Sequence, residues 1–153
     1  MPATDDTQLT YDGTTRTLAR KLGAAAAGLV LLGLLTGFLV AGAMTGKLGA
    51  EPHAMLASHL NALLGAFWLL GIAWSLPLLR LEPKQLGWLA RLATLANYAN
   101  WLVTLLKSVL RVPGVEANGN AANDAVFVLL TVLVVLPSLG AAGLWLRGFT
   151  RAA

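Results

Sequence analysis

Four long stretches nearly free of charge decide what this chain can fold into; they run over about 18–45, 55–79, 86–110 and 123–147. A helix needs ~20 mostly apolar residues to cross the ~30 Å hydrocarbon layer of a bilayer, and each stretch has that length. The stretch 55–79, MLASHLNALLGAFWLLGIAWSLPLL, contains no Asp, Glu, Lys or Arg. Like the last one, it is apolar on almost every face, whereas a helix of a water-soluble bundle keeps a polar side. Composition agrees, with 57% hydrophobic and 12% charged residues, against about 25% charged in an ordinary soluble domain. A signal peptide does not account for the first stretch, which is longer than the ~7–15-residue apolar core of such a peptide and has three more behind it. The fold class expected is therefore all-α, a four-helix transmembrane bundle with short loops forming a single membrane domain over 18–147. Residues 1–17, polar and carrying Asp5, Asp6 and Asp12, are expected to be a disordered tail, and 148–153 a short C-terminal tail.

Basic residues set the orientation. Arg16, Arg20, Lys21, Arg80, Lys84, Arg91, Arg147 and Arg151 fall on one side of the expected spans, and only Lys47, Lys107 and Arg111 on the other. The excess of Lys and Arg marks the cytoplasmic side, so both termini are expected there, in a multi-pass protein of the cell's inner (cytoplasmic) membrane. The formal charge of +4 sits at membrane boundaries, where anionic head groups account for it; no basic stripe interleaved with aromatics points to nucleic acid. Cysteine is absent, which excludes disulfides, cysteine nucleophiles and thiolate metal ligands.

Two features speak to packing. Gly33 and Gly37 form GLLTG in the first stretch, a small-xxx-small pattern that lets another backbone approach closely. Pro137, in VVLPSLGAAG, lies inside the fourth and should kink it. The longest connection, RVPGVEANGNAAN, reads as a flexible outer link and less readily as a lid.

Function is sought among polar groups inside the hydrocarbon, because such groups are costly there and turn toward the bundle interior. The second stretch carries His59 and Asn61; the third carries Asn97, Tyr98, Asn100, Trp101 and Thr104. Asn97, Asn100 and Thr104 are spaced three and four apart and share one helix face. With a rise of ~1.5 Å per residue, His59 and Asn100 reach a similar depth in the outer half, and a pocket is expected there between the second and third helices or at a subunit contact. A neutral imidazole can bind iron, so a lone His59 is a candidate axial ligand; carbonyl hydrogen bonding is the more ordinary role for it. His53, beside Pro52, is expected to be exposed.

The segments LLGLLTGFLVAG, ASHLNALLGAFWLLGIAW and NYANWLVTLL, in that order, resemble hydroxylaminobenzene mutase and, more distantly, styrene oxide isomerase. The resemblance implies a membrane isomerase that converts a small aromatic hydroxylamine to an aminophenol. It also implies a homotrimer with haem b at subunit contacts, ferric iron acting as a Lewis acid, and His59 as the metal ligand. Within that hypothesis, and not from the resemblance, Asn97, Tyr98 and Trp101 are expected around the cofactor, and Asn61, Asn100 and Thr104 as the residues that orient the substrate. Asn100, in Tyr98-Ala99-Asn100, falls on the asparagine of a tryptophan-alanine-asparagine segment of the epoxide isomerases. Gly65 and Thr104 stand where those enzymes have asparagine and tyrosine, and Asn61 stands where the mutases have glutamate. An aromatic epoxide isomerase is the alternative within the family, and a non-catalytic scaffold or small-molecule carrier the alternative outside it.

Overall fold

The computed structural model describes residues 6–151 and is all-α. Helix α1 spans Asp6–Met44, α2 Pro52–Ser75, α3 Pro83–Leu110, α4 Ala121–Leu129 and α5 Leu136–Thr150, with a single 3-10 turn Leu76–Leu78 after α2. A π-helical segment, Leu130–Val135, joins α4 and α5 into one continuous rod, so the chain forms four long antiparallel elements. Three of them, Tyr11–Met44, Pro52–Leu78 and Ala121–Thr150, are long and apolar enough to cross a membrane. The remaining helix, α3, is long enough at 28 residues, but Asn97, Tyr98, Asn100, Trp101 and Thr104 dilute its apolar character.

The expected tail is corrected at its inner part. Helix α1 already begins at Asp6, because the segment finds partners on the bundle: the Tyr11 hydroxyl donates to the Leu79 carbonyl at 2.7 Å, and Thr15 is buried and bonds back to the carbonyls of Tyr11 and Asp12. Residues 1–5 lie outside the described part. At the other end α5 runs on to Thr150, past the boundary expected at 147.

Each helix start is written in the loop before it. Pro52 occupies the first turn of α2, where its missing N–H costs nothing, and the Glu51 carboxylate accepts from the backbone N–H groups of His53 and Ala54. Helix α3 opens on a reciprocal capping box between Glu82 and Gln85, followed by Pro83, and Asn120 caps α4. Residues 111–120 are tied and not free, since Asn123 accepts from Gly114 N–H and donates to the Glu116 carbonyl, both at 2.7 Å. The bonds from Ala54 and then His53 hold the Glu51 carboxyl below its ordinary value of 4.5. A carboxylate whose pKa is lowered by folding stabilises the fold above its unfolded pKa and loses that contribution as pH falls through the folded value. We expect Glu51→Gln to lower the melting temperature by a constant amount above pH 4.5, and the gap from wild type to close below it, in melting curves taken between pH 3 and pH 7.

Helix α3 is the hub, packing on α1, on α2 and on the α4–α5 rod, while α1 packs most extensively on α2. Leu22, Leu29, Leu69, Ile72, Leu86 and Leu89 form the buried core. The outside is apolar as well: Phe38 is 77% exposed, Phe67 69% and Trp74 81%, an arrangement suited to lipid as solvent. The α1 glycines serve packing within this chain. A Cβ on Gly33 would come within 2.9 Å of Leu63 of α2, and one on Gly37 within 3.5 Å of the His59 ring. Two adjoining features interrupt the regular α-helical ladder of the rod. The Leu136 N–H bonds five residues back to Thr131, a π-type insertion, and Pro137 then offers no N–H.

The basic side is also a spatial end. Arg80 N–H bonds to the Gly148 carbonyl, and Tyr11 reaches Leu79. The start of α1, the α2–α3 link and the end of α5 therefore lie together, while Arg111 bonds Gly49 at the far end.

Candidate functional site

Two residues apart on an α-helix means ~200° of rotation, and this separates His59 from Asn61. Asn61 faces α3, where its Nδ2 donates to Asn100 Oδ1 and to Thr104 Oγ1, each at 3.1 Å. Thr104 Oγ1 lies 3.4 Å from Asn100 Oδ1 and closes the triangle. These three residues, expected together, are brought together. The Ser58 hydroxyl donates to the Trp101 carbonyl at 2.9 Å beside them, so residues 58–61 and 100–104 stand side by side.

The other expected site residues go elsewhere. His59 turns to α1, with Nδ1 2.7 Å from the Gly33 carbonyl; a carbonyl only accepts, so Nδ1 carries the proton. Asn97, buried, donates to its own helix at Ala93 O, 2.8 Å away, and its side chain fills the space left by Gly65: a Cβ there would lie 2.6 Å from Asn97 Oδ1. Tyr98 donates to Ala25 O at 2.9 Å, and Trp101 Nε1 to Thr36 Oγ1 at 3.0 Å. Tyr98 and Trp101 thus anchor α3 to α1. They also line an apolar groove of about 340 Å³, closed on its far side by Leu129 and Leu133 of the rod. Thr36 is the partner that sequence reasoning passed over. Its signal was present, for it is the single hydroxyl between Lys21 and Thr45.

The haem expectation is corrected. Among the described residues no three His, Cys, Asp or Glu side chains come together as a metal-binding group, and the chain has no cysteine. The His59 ring lies flush against α1 at Gly33 and Gly37, and the methionines do not complete a ligand set: Met55 is buried at 2% exposure, and Met44 lies at the end of α1, 51% exposed. Asn97, Tyr98 and Trp101 are each committed to protein partners and form no cradle for a macrocycle. The residues present do not fit haem b. The roles built on it, iron as Lewis acid, His59 as metal ligand and a homotrimer with haem at its contacts, lose their basis with it.

An all-α chain with three membrane-length apolar helices, and a neutral hydrogen-bonded cluster held between its second and third helices, defines a multi-pass membrane protein with a polar site in its interior. The sequence profile of the styrene oxide isomerase family matches residues 18–150, and the chain belongs to that family, an isomerase family. It is also 32% identical, over 137 residues, to hydroxylaminobenzene mutase HabB of Ectopseudomonas oleovorans, an alignment covering 84% of this chain and 80% of that protein. No solved structure matches it.

Proposed function

We propose that this protein is a membrane-embedded mutase that rearranges a small aromatic hydroxylamine to an aminophenol at the Asn61–Asn100–Thr104 cluster. The observation that carries the reading is the polarity of what the cluster leaves over. Asn61 Nδ2 and Asn100 Oδ1 are used within it, so Asn61 Oδ1 remains as an acceptor and Asn100 Nδ2 as a donor. Neither is a sealed, unsatisfied buried atom. An N–OH group matches that pair, its hydrogen donated to Asn61 and its oxygen accepting from Asn100. In the rearrangement the N–O bond breaks and a C–O bond forms at the ring; the ring carbon loses a proton and the nitrogen gains one, leaving composition unchanged. A fixed amide donor at the departing oxygen stabilises the charge it gathers, and neutral groups suit a site surrounded by hydrocarbon. The mutase similarity supports the substrate class.

The test is incubation of hydroxylaminobenzene with the protein reconstituted in vesicles, without added oxidant or reductant. Aminophenol formed in proportion to protein is expected; unchanged substrate from correctly folded protein overturns the reading. Because the matching family is named for styrene oxide isomerase, styrene oxide is the second substrate, with phenylacetaldehyde as the product to look for.

We further infer that all four long elements cross the bilayer, α3 included because its polar side chains are satisfied inside the bundle, and that the basic end with both termini faces the cytoplasm of an inner-membrane protein. The gathering of the α1 start, the α2–α3 link and the α5 end supports this. The natural lack of cysteine makes the test clean. Lys84→Cys should react with an impermeant maleimide only from the cytoplasmic side, and Asn118→Cys only from outside; the reverse pattern, or labelling of both from one side, overturns the topology.

A further inference from the structure

At the basic end of the bundle a groove of about 480 Å³ opens between the first halves of the membrane-spanning parts of α1 and α3. Leu22, Ala25 and Leu95 give it apolar walls, and it is rimmed by one cation from each helix, Lys21 of α1 and Arg91 of α3. Both cations are exposed, and neither has an ion-pair partner among the described residues. The Arg91 guanidinium lies 5.7 Å from the centre of the Trp88 ring, a cation–π contact that holds it at the rim. Along α3, Arg91 is ~13 Å from Asn100 by helical rise, so the groove is separate from the polar cluster.

Paired cations at the mouth of a hydrocarbon-walled groove select a ligand with an anionic head and an apolar chain. A soluble anion would use the rim and leave the walls idle; a neutral lipid would use the walls and leave two cations uncompensated. Basic pockets between membrane helices at this boundary recognise anionic head groups. We propose that the groove binds one anionic phospholipid, its phosphate between Lys21 and Arg91 and an acyl chain along Leu22, Ala25 and Leu95. Gly87 lines the same groove, and a Cβ there would meet nothing within 4 Å. That space belongs to the ligand and not to packing. The inference rests on the bilayer reading above and is independent of the reaction.

The test uses the full chain in phosphatidylcholine nanodiscs doped with phosphatidylglycerol, with retained lipid counted by native mass spectrometry after mild extraction. One phosphatidylglycerol per chain is expected, together with a rise in melting temperature. K21Q/R91Q should weaken retention roughly thirtyfold, at the usual cost of losing two interfacial cations. Gly87→Leu should weaken it as well by filling the groove without touching a charge. The control pair K47Q/K107Q, at the opposite end, should retain lipid as wild type does. Wild-type retention by K21Q/R91Q, an equal loss in the control pair, or the same thermal shift from inorganic phosphate alone overturns the proposal. Failure of the protein to enter nanodiscs overturns the bilayer reading too, whereas entry without head-group preference overturns the groove alone.

Discussion

Asn61→Leu is expected to cut turnover of hydroxylaminobenzene by about 100-fold or more, because Asn61 Nδ2 holds Asn100 Oδ1 and so aims Asn100 Nδ2 at the departing oxygen, and losing a fixed donor on developing charge costs on that scale. It should leave the folded protein almost as stable as before. Hydrogen bonds between membrane helices average about 0.6 kcal/mol, and Asn61 contributes two at 3.1 Å, so a melting shift worth about 1 kcal/mol is expected from that average. The disparity between the two effects gives the experiment its force. A residue that only held helices together would lower stability and activity in step. Asn61→Asp sharpens the test: it keeps the shape but turns an acceptor toward Asn100 Oδ1, and should be as inactive as Leu. Aminophenol formation under saturating substrate and melting in the same detergent measure both effects. Wild-type turnover in Asn61→Leu would remove the cluster from the reaction.

A large effect on stability is expected at Gly65. A Cβ there would sit 2.6 Å from Asn97 Oδ1 and 3.1 Å from Asn97 Cβ and Cγ. Asn97 cannot swing clear without breaking its 2.8 Å bond to Ala93 O. The helices must separate instead, and overpacking of this kind costs about 1–3 kcal/mol, with Val at the upper end and Ala at the lower. Gly65→Val should therefore lower the melting temperature strongly. In the Gly65→Ala background, Asn97→Ala should restore part of the loss, a coupling that a double-mutant cycle reads directly. It cannot restore all of it, because the Cβ of residue 97 still lies 3.1 Å from the added one. Residue 65 is about one turn from Asn61, and 97 about one turn from Asn100, so a wedge here also strains the polar cluster, and activity should fall with stability in this series. A Gly65→Val protein that melts like wild type would show that the helices are not in close contact at this point.

Much of this could be read without coordinates. The apolar character of α1, α2 and the rod, the missing N–H at Pro137 and the gathering of cations at one end all follow from residue type and order. Local chemistry also carries the helix starts, at Glu51-Pro52, Glu82-Pro83 and Asn120. The polar stripe of α3 was legible as a stripe, but its division was not. By spacing alone Asn97 belongs with Asn100 and Thr104. In the bundle it is diverted, because α2 presents Gly65 opposite Asn97 and Asn61 opposite Asn100. His59 illustrates the same limit. Its direction, toward α1, depended on Gly33 and Gly37 leaving room for the ring.

The amino-acid sequence by itself determined the solvent, the number of long apolar segments and which end carries the charge. Each of those depends on free energies summed over a single segment. Tertiary structure alone decided which polar atoms meet, which turn back on their own backbone and where open grooves remain between α1, α3 and the rod. A hydrogen bond between α2 and α3 depends on the rotation of both helices at once, and that rotation is set by where glycine lets backbones approach and where larger side chains keep them apart.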